Sequence, residues 1–205
     1  MNESVVFPVH YFPSIRYFGS MLQLEEKKRI FLEENDNFQK QTYRSRCYIL
    51  SPNGRQMLNI PISHGHGRLY KDIQIDYNSK WQKEHFRSLE AAYRRSPYFE
   101  YYEDHIHQLI FNDEKYLFRK NILILERLLN LLKATVSYSM TESYLFTYQA
   151  DYRQEFHAKS VVEITPYTQV FSEKFDFVQD LSILDLLFNH GPRSLEYLQN
   201  LQIDI

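Results

Sequence analysis

The chain has 205 residues, and its 24 Lys and Arg against 26 Asp and Glu give a net charge of −2 with neutral histidines. One cysteine excludes an internal disulfide, the near-balanced charge argues against a nucleic-acid-binding protein, and no segment reaches the ~18 apolar residues of a membrane span. With 43% apolar residues, a chain of this length can bury its own core. We therefore expect a single cytoplasmic domain over residues 1–205 that spans no membrane.

The first elements predict a strand, a helix and a second strand. Residues 4–8 are β-branched and aromatic and stop at Pro8, which indicates a short buried strand. Ser14 is placed to cap a helix that begins at Ile15, and residues 28–33 return as a strand. Strand, helix and strand within about thirty residues are typical of a parallel βαβ unit.

The next stretch predicts an antiparallel meander. Two strand patterns, at residues 46–50 and 56–62, flank the sequence Pro52-Asn53-Gly54, in which proline fixes φ and glycine accepts a positive φ. Strict alternation over residues 72–76 adds a third strand with one solvent-exposed side.

From residue 80 the chain is mostly helical. Apolar residues at helical spacing predict helices over residues 81–93 and 98–111, separated at Pro97, and a third helix that is capped by Asp113 and runs to about Lys133. Further predicted elements are strands at 134–138 and 161–165 and helices at 182–189 and 193–201, whereas 139–158 show no clear pattern. This order predicts an α/β fold, a three-layer domain with a short mixed sheet, an antiparallel meander and a helical part in the C-terminal half.

The loop between Pro8 and Pro13 is the first candidate site. It leaves the carboxyl end of a strand and precedes a helix, which is where open α/β sheets place ligands, and the helix N-terminus can receive an anion. His10 is its polar side chain. The alternative is that the prolines and aromatic residues only shape a tight, packed turn.

Two basic segments are candidates for binding phosphate. Residues 64–68, His-Gly-His-Gly-Arg, could hold a metal or a phosphate, but no third metal ligand is evident and a solvated loop explains the segment better, so we predict no metal. Arg44 and Arg46 alternate with Tyr43 and Tyr48. Guanidinium groups suit phosphate or carboxylate, and aromatic faces suit sugars or bases. A solvated sheet face with cross-strand pairs is the alternative.

Two helices carry candidate acid–base residues. Trp81 and His85 are four residues apart and therefore share a helix face. His85 is either a proton-transfer group or a packed residue. Asp185 lies among apolar neighbours, where a carboxylate must be paired, hydrogen-bonded or in a cleft, so it either ties the helix in place or acts on a substrate. The lone Cys47 is expected to be buried.

Several of these segments, in the same order, resemble the WbqC-like family. The family opens with a strand and then Gln-Pro-x-Tyr-Leu-Pro-x-x-Gly-Tyr-Phe, which residues 7–18 follow loosely. The family then has an acidic stretch and a Gln, which correspond to residues 33–36 and Gln39. Its aromatic-x-Asn-Arg segment and its Pro-Asn-Gly turn correspond to residues 43–46 and 52–54. Its Trp…His…Tyr…Pro-Tyr/Phe block corresponds to residues 81–99. The closing signature is similar to residues 181–192, and this match is the closest. Phe7 and Ser45 stand where the family has Gln and Asn.

The resemblance implies a part in bacterial surface-polysaccharide biosynthesis, with a group transfer on a nucleotide-activated or sugar intermediate. The implied partner is a small molecule, a sugar or a nucleotide-linked compound, while the cofactor and the oligomeric state stay open. Three residues are the catalytic candidates: His10, His85 and Asp185. The substrate-binding candidates are Tyr11, Tyr17, Gln39, Arg46, Trp81 and Asn189.

The hypothesis of an enzyme expects His10, Arg46, His85 and Asp185 to converge in one cleft, with Arg46 stabilising a developing anion. One alternative is a non-catalytic protein that docks biosynthetic enzymes through an aromatic surface, since the chain has 17 Tyr and 15 Phe and tyrosine is enriched in interfaces. Another is a nucleotide-binding regulator with the same pocket and no turnover.

Overall fold

Helices and short strands alternate along the chain, and the computed structural model describes residues 4–25, 27–63, 67–145, 147–157 and 163–203. In chain order its elements are β1 (Ser4–Phe7), α1 (Ile15–Glu25), β2 (Arg29–Leu32), β3 (Arg46–Ser51), β4 (Gly54–Asn59), α2 (Trp81–Tyr93), α3 (Phe99–Phe111), α4 (Leu117–Leu132), β5 (Tyr138–Met140), β6 (Ala150–Asp151), α5 (Ile183–His190) and α6 (Ser194–Gln199). Short 3-10 turns lie at Tyr70–Asp72 and Gly191–Arg193. A parallel sheet, an antiparallel pair and these helices confirm the predicted α/β class.

The parallel sheet is built around β1. Its strand order is β5-β2-β1-β6, and β1 pairs in parallel with both β2 and β6. Helix α1 connects β1 to β2, so the predicted parallel βαβ unit is confirmed. The predicted cap is also present, because Ser14 Oγ accepts a hydrogen bond from the Tyr17 amide at 3.4 Å. Since the strands run the same way, their carboxyl ends lie along one edge of the sheet.

The predicted hairpin forms, but the prediction of a third strand beside it is wrong. Strands β3 and β4 pair antiparallel, and Gly54 takes a φ of 98° at the turn. Residues 72–76 alternate in burial as expected, with Ile73 and Ile75 buried, yet they form only isolated bridges. The segment lies between residues 61–63 and the start of α4, because the Ser63 amide donates to Gln74 O and the Leu117 amide donates to Ile73 O, both at 2.9 Å.

The three central helices form as predicted, apart from one cap. Helix α4 begins at Leu117 and no side chain caps it, so the prediction of an Asp113 cap is wrong. The Glu114 side chain closes the preceding turn, since its Oε1 accepts the Tyr116 amide at 2.9 Å. The predicted end of this helix is confirmed, because Lys133 adopts a left-handed φ of 58° directly after it.

The predicted strands of the C-terminal half are displaced. The strand predicted at 134–138 begins only at Tyr138, and β6 arises in the stretch that shows no pattern. The strand predicted at 161–165 lies partly outside the described residues, and its described part is irregular. There, the Ile164 amide donates to Gln179 Oε1 at 2.8 Å, so a side chain takes the place of a neighbouring strand.

Both predicted C-terminal helices form, as α5 and a shorter α6. Ser182 caps α5, because its Oγ accepts the Leu184 amide at 3.3 Å. Gly191 ends α5 with a positive φ of 57°, and a Cβ at this position would lie 2.5 Å from Tyr98 Cγ. The chain therefore needs a glycine here both for its backbone angle and for the close approach of the ring.

One hydrophobic core extends through the described chain, from Val5 in β1 to Leu201 after α6. The single domain over residues 1–205 stays a prediction. Cys47 is buried, as predicted. Within the described ranges, no helix combines the length and the apolar character needed to cross a membrane.

A buried ion network ties three strand ends together at the carboxyl edge of the sheet. Glu33, directly after β2, is 1% exposed. It accepts hydrogen bonds from Thr141 Oγ1, directly after β5, at 2.7 Å and from Arg153 Nη1 at 3.2 Å. Arg153 also binds the carboxylate of Asp151, at the end of β6, through its Nε at 2.9 Å. Because Glu33 has no access to water, its charge depends on these partners.

We expect Arg153→Leu to leave the Glu33 carboxylate buried without its cation and to lower the free energy of unfolding by about 3–5 kcal/mol. Urea denaturation at neutral pH measures this loss. Adding Glu33→Gln should recover part of it, because the double variant no longer buries a lone charge. Arg94→Leu is the matched control: it removes an exposed arginine from its pairs with Glu90 and Glu103 and should change stability little. Similar losses in the two single variants would contradict the role of Arg153.

Candidate functional site

The loop of residues 8–13, which leaves the carboxyl end of β1, is buried and held by hydrogen bonds to its backbone. The hydroxyl of Tyr17 donates to Pro8 O, and the hydroxyl of Tyr70 donates to Val9 O, both at 2.8 Å. A buried carbonyl without a partner costs free energy. The two tyrosines therefore fix the path of the loop, and Tyr17, a predicted substrate-binding residue, has a partner inside the protein.

The second half of the loop is held by the start of α5. Ser182 Oγ donates to Phe12 O at 3.0 Å, and the Ile183 amide donates to Pro13 O at 2.9 Å. Phe12 has a φ of 39°, close to the left-handed region that a phenylalanine rarely adopts. The contacts from α5 thus hold a strained residue two positions after His10.

His10 is the polar side chain of this loop and is only 2% exposed. Its ring lies against those of Tyr17, Tyr43 and Phe156, with centroid distances of 5.2, 5.6 and 5.9 Å. Burial, followed by the positive charge of Arg44, holds the pKa of His10 well below its usual range, so the imidazole is neutral at pH 7. Its Nδ1 is buried and has no hydrogen-bond partner in the described part of the chain. A buried polar atom of this kind calls for an outside partner, such as a water or a ligand.

A small cavity, which we call the Tyr43 cavity, opens beside the rings that contact His10. Its volume is about 30 Å³. It is lined by Gln41, Thr42, Tyr43, Arg46, Tyr48, Phe156 and His157. Such a space holds roughly one or two water molecules or a single phosphate oxygen. A larger ligand must therefore lie across its mouth.

Positive charge surrounds the Tyr43 cavity. Arg46 lines it, and the Arg16 guanidinium lies 5.2 Å from the centre of one of its aromatic rings. Arg55 Nη2 donates to the Tyr43 hydroxyl at 3.3 Å. Asp180 offsets one of these charges, with its Oδ2 3.8 Å from Arg16 Nε. Arg46 lines the cavity itself, and guanidinium groups bind phosphate or carboxylate well, so the mouth of the cavity is suited to an anion.

Tyr11, His85 and Asn59 form a hydrogen-bonded chain connected to this site. His85 Nε2 lies 3.2 Å from Asn59 O, which can only accept, so Nε2 carries the proton and Nδ1 accepts from the Tyr11 hydroxyl at 2.9 Å. Burial lowers the pKa of His85 to about 4, so the ring is neutral at pH 7 with both nitrogens engaged. The Trp81 ring packs on the His85 ring, with the two ring centroids 5.1 Å apart. Arg46 Nε donates to Asn59 Oδ1 at 3.2 Å and thus connects the cavity to His85.

Asp185 belongs to a separate buried network. Its carboxylate accepts hydrogen bonds from the Tyr93 hydroxyl at 2.7 Å, from the Tyr167 hydroxyl, and from Gln169 Nε2 at 3.2 Å. Burial raises the pKa of Asp185 to about 6, against the opposing effect of these donors. Asn189 Nδ2 donates to Asp185 O at 2.8 Å within the same helix. Asp185 and Asn189 therefore both have partners inside the protein.

The structure brings the predicted site residues together in part. Those at or connected to the Tyr43 cavity are His10, Tyr11, Tyr17, Arg46, Trp81 and His85. Asp185 and Asn189 lie in the second network, and Gln39 is half-buried with its carbonyl accepting from Thr42 Oγ1 at 2.8 Å. Of the four side chains expected in one cleft, Arg46 lines the cavity, His10 lies behind its rings, and the other two are hydrogen-bonded in the interior. The roles of all nine residues stay predictions.

Several residues around the cavity were missed by sequence reasoning, among them Arg16, Phe156 and His157. Phe156 and His157 fall in the stretch of residues 139–158 without a pattern, and the pairing of β6 with β1 brings them to the site. Arg16 lies on α1, at a position where the helical pattern of apolar residues predicts a solvent-exposed side chain. The arginines among the tyrosines of residues 43–48 pointed to a basic site, and the resemblance singled out Arg46.

The predicted His-Gly-His segment can be described only in part. Its residues 64–66 lie outside the described residues. In the ranges that are described, no cluster of three or more His, Cys, Asp and Glu side chains is placed to hold a metal ion.

The pH dependence of stability should report the buried Asp185 carboxylate. Its pKa is about 6 in the folded protein against an ordinary 3.8, so the folded state binds the proton more tightly than the unfolded state does. This difference stabilises the fold at low pH, and the stabilisation is lost as the pH rises through 6. Between pH 5 and 7.5 the free energy of unfolding of the wild type should fall by about 1.4 kcal/mol relative to Asp185→Asn. Urea denaturation of both proteins measures the difference, because other groups titrate alike in both. A difference that is constant or grows with pH would contradict the raised pKa.

Comparison with known proteins identifies the family. The model of the WbqC-like protein family matches residues 9–160, well over half of the chain. The matched region contains His10 and the whole lining of the Tyr43 cavity, whereas Asp185 lies beyond it. No curated protein and no solved structure gives a significant match. The chain therefore belongs to the WbqC-like family.

Proposed function

We propose that this protein is a group transferase that acts on a nucleotide-activated sugar intermediate of bacterial surface-polysaccharide biosynthesis in the cytoplasm. The observation that carries the proposal is the Tyr43 cavity, which Arg46 lines and whose Tyr43 and Phe156 rings pack against His10. Membership of the WbqC-like family supports the biological setting.

The charge and position of the cavity suit a diphosphate. Ligands of open α/β sheets bind beyond the carboxyl ends of the strands, which is where the loop of residues 8–13 lies. The Arg46 guanidinium is fixed by its bond to Asn59, and a guanidinium offers five donors in a rigid fork. His157 is exposed at the mouth. A phosphate oxygen fits the small volume, while the sugar and the base remain outside it.

The neutral imidazole of His10 is the proposed proton acceptor. The charge of a bound phosphate would raise its pKa, so ligand binding itself would prepare His10 to take the proton of an attacking hydroxyl. As the hydroxyl oxygen bonds to the transferred group, the bond to the phosphate breaks and Arg46 stabilises the charge on the leaving phosphate. His85 acts as a positioning residue, since it holds the Tyr11 hydroxyl in place, whereas Asp185 orders its own buried network around Tyr93 and Tyr167.

The alternative of a docking protein expects a broad exposed aromatic surface. In the part of the chain that is described, the large exposed aromatic side chains are Tyr101, Phe111 and Tyr144. Tyr101 and Phe111 are ten residues apart on α3, which separates them by about 15 Å along the helix. Buried tyrosines such as Tyr17 and Tyr70 donate hydrogen bonds to the site loop, so the high tyrosine content has a structural explanation.

Binding of nucleoside diphosphates should depend on Arg46. We expect UDP, GDP or dTDP to raise the melting temperature of the wild type. Arg46→Ala should weaken binding at least tenfold, because it removes charge-assisted hydrogen bonds worth about 1.5–3 kcal/mol. Calorimetric titration at low salt measures the affinities. Arg95→Ala is the matched control, since it removes the same charge at an exposed position after α2, and it should bind as the wild type does.

Two results would contradict the proposal. Equal affinities of the Arg46→Ala and Arg95→Ala proteins would place the ligand elsewhere. A folded wild type that binds none of the diphosphates would argue against a nucleotide-linked ligand and would favour the docking function.

A further inference from the structure

The face of the parallel sheet opposite the main core carries a second cleft. The register aligns Phe31 of β2 with Ser139 of β5, so these side chains lie on one face. The other face, with Val5 and Ile30, belongs to the main core. Parallel sheets usually have both faces covered, but Phe31 is only half-buried, whereas its neighbour Ile30 is fully buried. Val6 of β1, which pairs with Phe31 on the same face, is fully buried, so the face is open to a ligand at Phe31 and not across its whole width.

This outer cleft lies between the sheet face and the irregular segment that follows β5. Its volume is about 630 Å³, within the range of about 300–1,000 Å³ that small-molecule sites occupy. The lining residues that define its chemistry are Arg29, Phe31, Ser139, Glu142, Thr147 and Tyr148. Among the residues that the structure describes, none lines both this cleft and the Tyr43 cavity.

Two aromatic rings line the outer cleft. The centroids of Phe31 and Tyr148 are 6.4 Å apart. The Arg29 guanidinium lies 4.9 Å from the Phe31 ring, and the Arg153 guanidinium lies 5.3 Å from the Tyr148 ring. Because Arg153 is held in the buried ion network, Tyr148 has a fixed neighbour. Because the two ring planes are tilted by 45°, a sugar packs its C–H face on one ring, and we take this ring to be Tyr148.

The polar groups of the outer cleft favour a neutral ligand with many hydroxyls. Ser139, Ser143 and Thr147 each contribute a hydroxyl, which can donate and accept. Arg29 and Glu142 add one charge of each sign. A phosphate would need an excess of positive charge such as that around the Tyr43 cavity, whereas a sugar needs donors and acceptors together.

We propose that the outer cleft binds a neutral pyranose sugar, a hexose or an N-acetylhexosamine, packed on Tyr148 and hydrogen-bonded by Ser139 and Thr147. This is a second binding site, and it does not depend on the proposed transferase reaction or on the ligand of the Tyr43 cavity.

Saturation-transfer NMR on the full chain tests the proposal with N-acetylglucosamine and glucose at about 10 mM, a range suited to weak binding. We expect saturation of the ring C–H protons. Tyr148→Ala should weaken binding about tenfold by removing the ring on which the sugar packs. Thr147→Val, an exposed and isosteric change, should weaken it about threefold without affecting the fold. Tyr101→Ala is the matched control, since it removes an exposed tyrosine on α3, and it should bind as the wild type does.

The outcomes separate the two sites. Absence of saturation transfer from the folded wild type to both sugars would overturn the proposal. Equal affinities of the Thr147→Val, Tyr148→Ala and Tyr101→Ala proteins would also overturn it. Tighter binding of glucuronic acid than of glucose would show that the cleft selects an anion and not a neutral sugar. The Arg46→Ala protein should bind the sugars as the wild type does. Loss of nucleotide binding without loss of sugar binding would therefore not contradict the proposed sugar site.

Discussion

The backbone of the buried loop after β1 must find hydrogen-bond partners, and the surroundings of the candidate site supply them. A carbonyl removed from water without a partner costs about 1–3 kcal/mol. Side chains from three different parts of the chain meet this need: Tyr17 from α1, Tyr70 from a 3-10 turn, and Ser182 at the start of α5. The loop thereby joins the sheet, the turn and the C-terminal helices in one core. Tyrosine serves here because a long side chain with a terminal hydroxyl can cross a packed interior and still donate.

The elements that local chemistry decides could be predicted from the sequence. Ser14 and Ser182 each precede an apolar helical pattern, and one Pro-Asn-Gly turn specifies one hairpin. The strand at 72–76 could not be decided in this way, because alternation reports one buried side and not the partner that covers it. Strand β6, only two residues long, has no pattern of its own and exists through its pairing with β1. The wrong prediction of an Asp113 cap for α4 has the same origin, since the neighbouring Glu114 closes the preceding turn.

The residues of the candidate site that lie in or near the loop could be predicted from the sequence. The residues that distant parts of the chain bring to the site could not. His10 follows directly from its place after a strand, and the resemblance singled out Arg46. Phe156 and His157 reach the cavity only through a long-range strand pairing that no local pattern announces. Sequence reasoning also had no means to learn that His85 has both ring nitrogens engaged by hydrogen bonds. The buried, neutral imidazole of His10 beneath a positively charged rim is thus a property of the folded chain.

The claim that an anionic ligand meets the protein beside His10 is tested most directly by nitrogen-15 NMR of the histidine side chains during titration with a nucleoside diphosphate. The ligand should shift the ring-nitrogen signals of His10, whose Nδ1 lacks a partner in the described structure. The signals of His85 should stay in place, since Tyr11 and Asn59 already occupy both of its nitrogens. Binding that leaves His10 unchanged, or that moves His85 alone, would contradict the site.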